Sequence, residues 1–63
     1  MEERYAVISQ VDKKGKVAIR RKSDGLVSRC KLSWLELVSE GVYKAKSKTK
    51  DLWLGVLEWT AEG

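Results

Sequence analysis

Residues 16–31 read KVAIRRKSDGLVSRCK. Two runs of alternating character, Lys16–Lys22 and Leu26–Lys31, flank the triplet Ser23-Asp24-Gly25. Val17 and Ile19 fall on one side of the first run, and Lys16, Ala18, Arg20 and Lys22 fall on the other. A period of two belongs to a strand that buries one face. In the second run Leu26 and Cys30 take the inward side, Arg29 and Lys31 the outward side. Asp-Gly suits the positive φ of a tight turn, so the stretch predicts an antiparallel hairpin.

The pattern extends toward the N-terminus. RYAVISQV at 4–11 sets Tyr5, Val7, Ser9 and Val11 against Ala6, Ile8 and Gln10, and DKKG at 12–15 supplies a turn in which Asp12 bonds the following backbone. Three sequential strands form a meander.

Toward the C-terminus the period changes. In LSWLELVSEG, residues 32–41, Ser33 and Glu36 stand at capping-box spacing, and Leu32 and Leu37 at the spacing of a hydrophobic staple. Gly41 lies where a helix ends in the left-handed conformation. The expectation is a helix over 34–40 burying Trp34, Leu37 and Val38, too short to stand without tertiary packing. Val42–Lys46 then reads as a strand and 47–51 as a loop. LWLGVLEW, 52–59, reads as a last strand with apolar residues on both faces: Leu52, Leu54 and Val56 against Trp53, Leu57 and Trp59. Gly55 marks a bulge or close backbone approach within it.

The fold class expected is therefore mainly β. A small five-stranded antiparallel barrel or strongly bent sheet is predicted, in the order β-β-β-α-β-β, of OB or SH3-like kind, with one short helix. The alternative is a meander packed on one helix with a loose C-terminal hairpin. One domain spans residues 1–63, because no proline, low-complexity linker or internal repeat divides the chain. At 63 residues, 43% of them hydrophobic, the core is thin and a deep substrate cavity is not expected.

Composition removes most chemistry. The absence of histidine takes away the usual general base and the commonest metal ligand, and a single cysteine makes no zinc site. No carboxylate cluster resembles a calcium or magnesium loop, and no glycine-rich phosphate loop is present. Cys30 sits on the inward side of its strand and reads as a buried, inert thiol, although Arg29 and Lys31 flank it. The chain is thus expected to be no enzyme and to need no cofactor or metal. One cysteine also fits a reducing compartment, no apolar run nears the roughly 20 residues that span a bilayer, and MEERYAV lacks a basic segment followed by an apolar one. A cytoplasmic location without membrane contact is the expectation.

What remains is charge. Thirteen Lys or Arg against nine Asp or Glu give a formal net charge of +4, and the excess is segregated. Eight bases and one acid lie between Lys13 and Lys31, whereas four bases and no acid lie in KAKSKTK, residues 44–50. In extended backbone Lys44, Lys46, Lys48 and Lys50 would share one face about 6.6–6.8 Å apart. The reading places Lys44 and Lys46 on a strand, with Lys48 and Lys50 at a hairpin tip. Together with Lys16, Arg20, Lys22, Arg29 and Lys31 they form the candidate phosphate-contacting set. Arg20, Arg21 and Arg29 are the side chains suited to bidentate base contacts, so sequence preference is expected to be weak. Trp34 and Trp53 are assigned to the core, and Tyr5, Tyr43 and Trp59 are the candidates for base stacking, with core packing as the alternative.

These observations point to a nucleic-acid-binding domain, DNA or RNA, that grips the phosphate backbone with a basic sheet face and a lysine-rich loop. The competing reading is a protein-interaction adaptor or inhibitor. It would dock on a partner or on a second copy of the chain through Trp53, Leu57 and Trp59.

Overall fold

Residues 3–61 of the protein are described from a computed structural model. Five strands, β1 (Tyr5–Val7), β2 (Lys16–Arg21), β3 (Val27–Lys31), β4 (Leu35–Ser39) and β5 (Val42–Ala45), precede a single α-helix, α1 (Lys48–Gly55). All ladders are antiparallel, and the sheet order is β3-β2-β1-β5-β4. Chain order thus places the N-terminal strand at the centre. The end strands β3 and β4 share no ladder, so the sheet stays open and does not close into a barrel.

The meander forms as its turns dictate. One oxygen of the Asp12 carboxylate accepts the amides of Lys14 and Lys16 at 2.8 and 2.9 Å, which closes the first turn. Asp24 accepts the Leu26 amide at 3.0 Å, and Gly25 takes the φ of +75° that the second turn requires. The register sets Val17 opposite Cys30 and Ile19 opposite Ser28, all four buried.

Two expectations fail. Residues 34–40 form no helix: Leu32–Trp34 make one 3₁₀ turn without a side-chain cap, and 35–39 are β4. The capping-box spacing of Ser33 and Glu36 is real, but a two-turn helix needs a surface on which to bury its stripe. Antiparallel pairing with β5 satisfies the backbone instead and buries Leu35, while Leu37 and Val38 stay exposed. Gly41, φ +73°, turns the β4–β5 hairpin rather than ending a helix. Residues 52–59 are likewise no strand, because 52–55 belong to α1 and 56–59 are irregular. The Ser47 hydroxyl accepts the Lys50 amide at 3.2 Å as the helix cap, and Asp51 in the first turn suits the positive end of the helix. A contiguous apolar run carries no clear period, so LWLGVLEW fits either element until its cap is recognised. The element order is therefore β-β-β-β-β-α, five strands and one short helix, differently arranged from the expectation.

The core lies on one face of the sheet. Tyr5, Val17, Ile19, Cys30, Leu35 and Leu54 are buried, with Val7, Trp34, Tyr43, Ala45, Leu57 and Trp59 packed against them. Leu54 is the buried residue of α1 and fixes the helix there. The segment after α1 is secured by aromatic contacts. Trp59 stacks on Tyr5 at 5.8 Å, lies under the Arg21 guanidinium at 4.5 Å, and donates its indole N–H to the Leu54 carbonyl at 3.0 Å. Thr60 and Val27 then exchange two backbone hydrogen bonds, of 2.7 and 2.9 Å, along the free edge of β3. That pairing covers an edge otherwise open to association.

Candidate nucleic-acid interface

Because Val17, Ile19, Ser28, Cys30 and Tyr5 point to the core, the alternate residues of β1, β2, β3 and β5 belong to the opposite face. Those are Lys16, Ala18 and Arg20 on β2, Val27, Arg29 and Lys31 on β3, Ala6 on β1, and Val42 and Lys44 on β5. Lys22 follows β2 in the turn and is exposed. Lys16 stands directly opposite Lys31 in the β2–β3 ladder, and both are exposed. Like charges so placed destabilise a sheet by some tenths of a kcal/mol.

Carboxylates reach part of this face. Arg29 is bound by Asp12 at 2.7 Å, and Lys44 lies 3.8 Å from Glu36 on the neighbouring strand. The Lys16 and Lys14 amides and the Arg29 guanidinium hold the Asp12 carboxyl below its ordinary range. Arg21 points to the core side, where Asp24 grips it at 2.6 Å and Trp59 lies beneath it. Its hydrogen bond to Asp24 lowers that carboxyl and raises the guanidinium. Arg21 is thus committed to the fold rather than free for a base. Lys16, Lys22, Lys31, Lys46 and Lys48 make no ion pair among the described residues.

KAKSKTK is not one extended comb. The strand ends at Ala45 and the helix begins at Lys48, so the period-2 alignment stops at Ser47. Lys44, Lys46 and Lys48 line an open cleft of about 390 Å³, which Glu3 and Asp51 also line. Lys50 turns elsewhere: its ammonium lies 4.0 Å from the Trp53 ring centre and 5.6 Å from that of Trp34.

The aromatic assignments need correction. Tyr5 is buried, Tyr43 is half-buried on the core face opposite Tyr5, and Trp59 is half-buried on Tyr5. None of these three lies on the basic face. Trp53, expected in the core, is 43% exposed, whereas Trp34 is half-buried against it. Ser47 was the sequence signal for this: read as a cap, it places residues 48–55 on a helix with only one side inward.

The remaining reactive groups are withdrawn from solvent. Burial pushes the Cys30 thiol from 9.0 up to about 11, which keeps it protonated and unreactive at neutral pH. Burial, with Asp51 and Glu3 adding, pushes Tyr5 from 10.0 up to about 12. In both cases the fold favours the neutral form. The associated stability is intact below the unfolded values and drains away as pH rises through 9–11 for Cys30 and 10–12 for Tyr5. Thermal melting followed from pH 8 to 12 is expected to hold steady to about pH 9 and then fall. Tyr5 accounts for roughly 2–3 kcal/mol of that loss. A Tyr5→Phe variant that declines just as steeply above pH 10 would refute the assignment.

Among the described residues, no three or more His, Cys, Asp or Glu side chains gather to hold a metal, and no helix is long and apolar enough to cross a membrane. No family model matches the chain, and neither a curated protein nor a solved structure matches it.

Proposed function

We propose that this chain is a non-enzymatic nucleic-acid-binding domain whose basic sheet face, opposite the core, contacts phosphates with little regard to sequence. One observation carries the reading. The strand register sets Lys16 against Lys31 beside Arg20 and Arg29, with no carboxylate paired to either lysine among the described residues. A polyanion relieves that repulsion, whereas a merely solvated surface leaves it in place. Lys44 and Lys46 continue the cationic face on β5 and just beyond it, Lys22 extends it past β2, and Lys48 shares a cleft with Lys44 and Lys46. With Arg21 and Arg29 held by carboxylates, few side chains remain to read base edges, which suits weak specificity.

Titration of labelled single- and double-stranded oligonucleotides at 50 and 200 mM salt tests this directly. Five phosphate contacts, one for each of Lys16, Lys22, Lys31, Lys46 and Lys48, predict a log-log salt slope of about −3.5 to −4.5, so affinity should fall about 100- to 500-fold between the two conditions. Absence of binding at the lower salt would eliminate the reading.

A second reading has its own observation. Leu52 and Val56 are 71% and 84% exposed on and just after α1, beside the part-exposed Trp53. This apolar surface fits a protein partner or a second copy of the chain. It differs from the surface expected of residues 53, 57 and 59, because Leu57 and Trp59 pack on the core. A monomeric sedimentation profile at high concentration, combined with salt-sensitive oligonucleotide binding, would favour the first reading over self-association.

A further inference from the structure

We infer that the Trp34–Trp53–Lys50 cluster at the start of α1 stacks an unpaired base, so that the polyanion is single-stranded nucleic acid. The inference rests on the phosphate-binding reading above and narrows its ligand.

The cluster is built by contacts from three directions. Trp34 and Trp53 meet at 5.1 Å with their planes tilted by 56°. Lys50 lies over both rings, and the Lys46 amide donates to the Trp34 carbonyl at 2.8 Å, tying the lysine-rich segment to the indoles. Even so packed, Trp53 keeps 43% of its surface in solvent. A part-exposed ring covered only by a flexible lysine and a second indole fits the pairing from which single-strand sites are made: the lysine moves to a phosphate while the ring receives a base.

The charges there work against the isolated protein. Lys48 and Lys50 occupy the first turn of α1, where each cation opposes the helix dipole. Lys50 offsets that cost against the indoles. Lys48 has no ion pair among the described residues. In the adjoining cleft Lys46 and Lys48 face Asp51 and Glu3, while Lys44 is paired with Glu36. Lys48 thus stands in the first turn against the dipole with no ion pair, a position that an anionic ligand relieves.

Strandedness follows from access. Bases within a duplex are stacked on one another and offer only their edges in the grooves, which a ring on a helix surface does not engage by stacking. Bases of a single strand splay out and lie on such a ring. The geometry applies equally to DNA and RNA, since an indole recognises the base and not the sugar.

The test uses Trp53→Leu, which keeps an apolar side chain against Trp34 but removes the flat ring, with Trp53→Ala as a second variant and melting curves to verify folding. Oligo-dT, oligo-U and a duplex of equal length are titrated at one salt concentration, and the salt slope is measured for each. Single-strand affinity is expected to fall about 5- to 150-fold with an unchanged slope, while duplex affinity stays constant. Equal losses with oligo-dT and oligo-U support a sugar-indifferent platform; a loss in one arm alone supports stacking but overturns that indifference. Unchanged single-strand affinity in a folded variant overturns the stacking role and leaves the phosphate reading standing. Parallel losses for single strand and duplex mark Trp53 as structural and overturn it too. If the unmodified chain binds neither, both proposals fall.

Discussion

Leu54→Ala is expected to lower stability by about 2–5 kcal/mol. Leu54 is fully buried and is the one residue of α1 that reaches the core, among Tyr5, Val17, Ile19, Cys30 and Leu35. Its carbonyl also receives the Trp59 indole, so a cavity at 54 loosens the aromatic contacts that hold the following segment. In a domain of 63 residues, whose total stability belongs at the low end of about 5–15 kcal/mol, that loss approaches unfolding. The paired control is Leu52→Ala. Leu52 is exposed, and its replacement should change stability by no more than about 0.5 kcal/mol. Urea melts of the two variants separate helix from strand. Were 52–59 a strand, residues 52 and 54 would share a face and cost alike, so equal effects would refute α1.

Charge reversal at Lys31 carries the other large effect, with opposite signs for stability and binding. In Lys31→Glu the like pair with Lys16 becomes a cross-strand ion pair, and stability should rise by about 0.2–1 kcal/mol. Nucleic-acid affinity should meanwhile fall roughly tenfold, about 1.4 kcal/mol, by a similar factor for all sequences. Adding Lys16→Glu restores a like-charge pair, cancels the stability gain and deepens the binding loss. Thermal melts and oligonucleotide titrations on the same samples read both quantities. Higher stability with unaltered affinity would mean that this face is merely solvated, and the phosphate-binding proposal would lose its basis.

Much of the N-terminal half was legible without coordinates. Asp12 and Asp24 announce their turns by chemistry local to four residues, and Val17, Ile19 and Cys30 alternate with cations at strand period. The same alternation assigned Lys16, Arg20, Arg29 and Lys31 to one face. Between residues 32 and 59 only the strand at 42–45 forms as expected; on either side of it the local signals compete. Ser33 and Glu36 match a helix cap, yet the segment pairs with β5; Ser47 caps a helix inside a stretch whose lysines alternate like a strand's. Short elements have too few residues for propensity to decide, and packing does so instead.

The site shows the same division. Arg29 meets Asp12 across 17 positions of sequence, Lys44 meets Glu36 across a hairpin whose first strand was read as helix, and Lys50 rests on Trp53 rather than on a strand face. Those partners come from different elements, so spacing along the chain does not reveal which cations are occupied.

By itself the sequence determined the turns, the β character of the meander and the sidedness of its charges, since each depends on neighbours within a few residues or on the two-residue repeat of extended backbone. Only the tertiary structure decided that β1 is central, that the sheet stays open, that α1 rests on Leu54, and that Trp53 rather than Tyr43 meets solvent. These outcomes depend on which distant surfaces bury one another, a choice made by the free energy of the whole assembled chain.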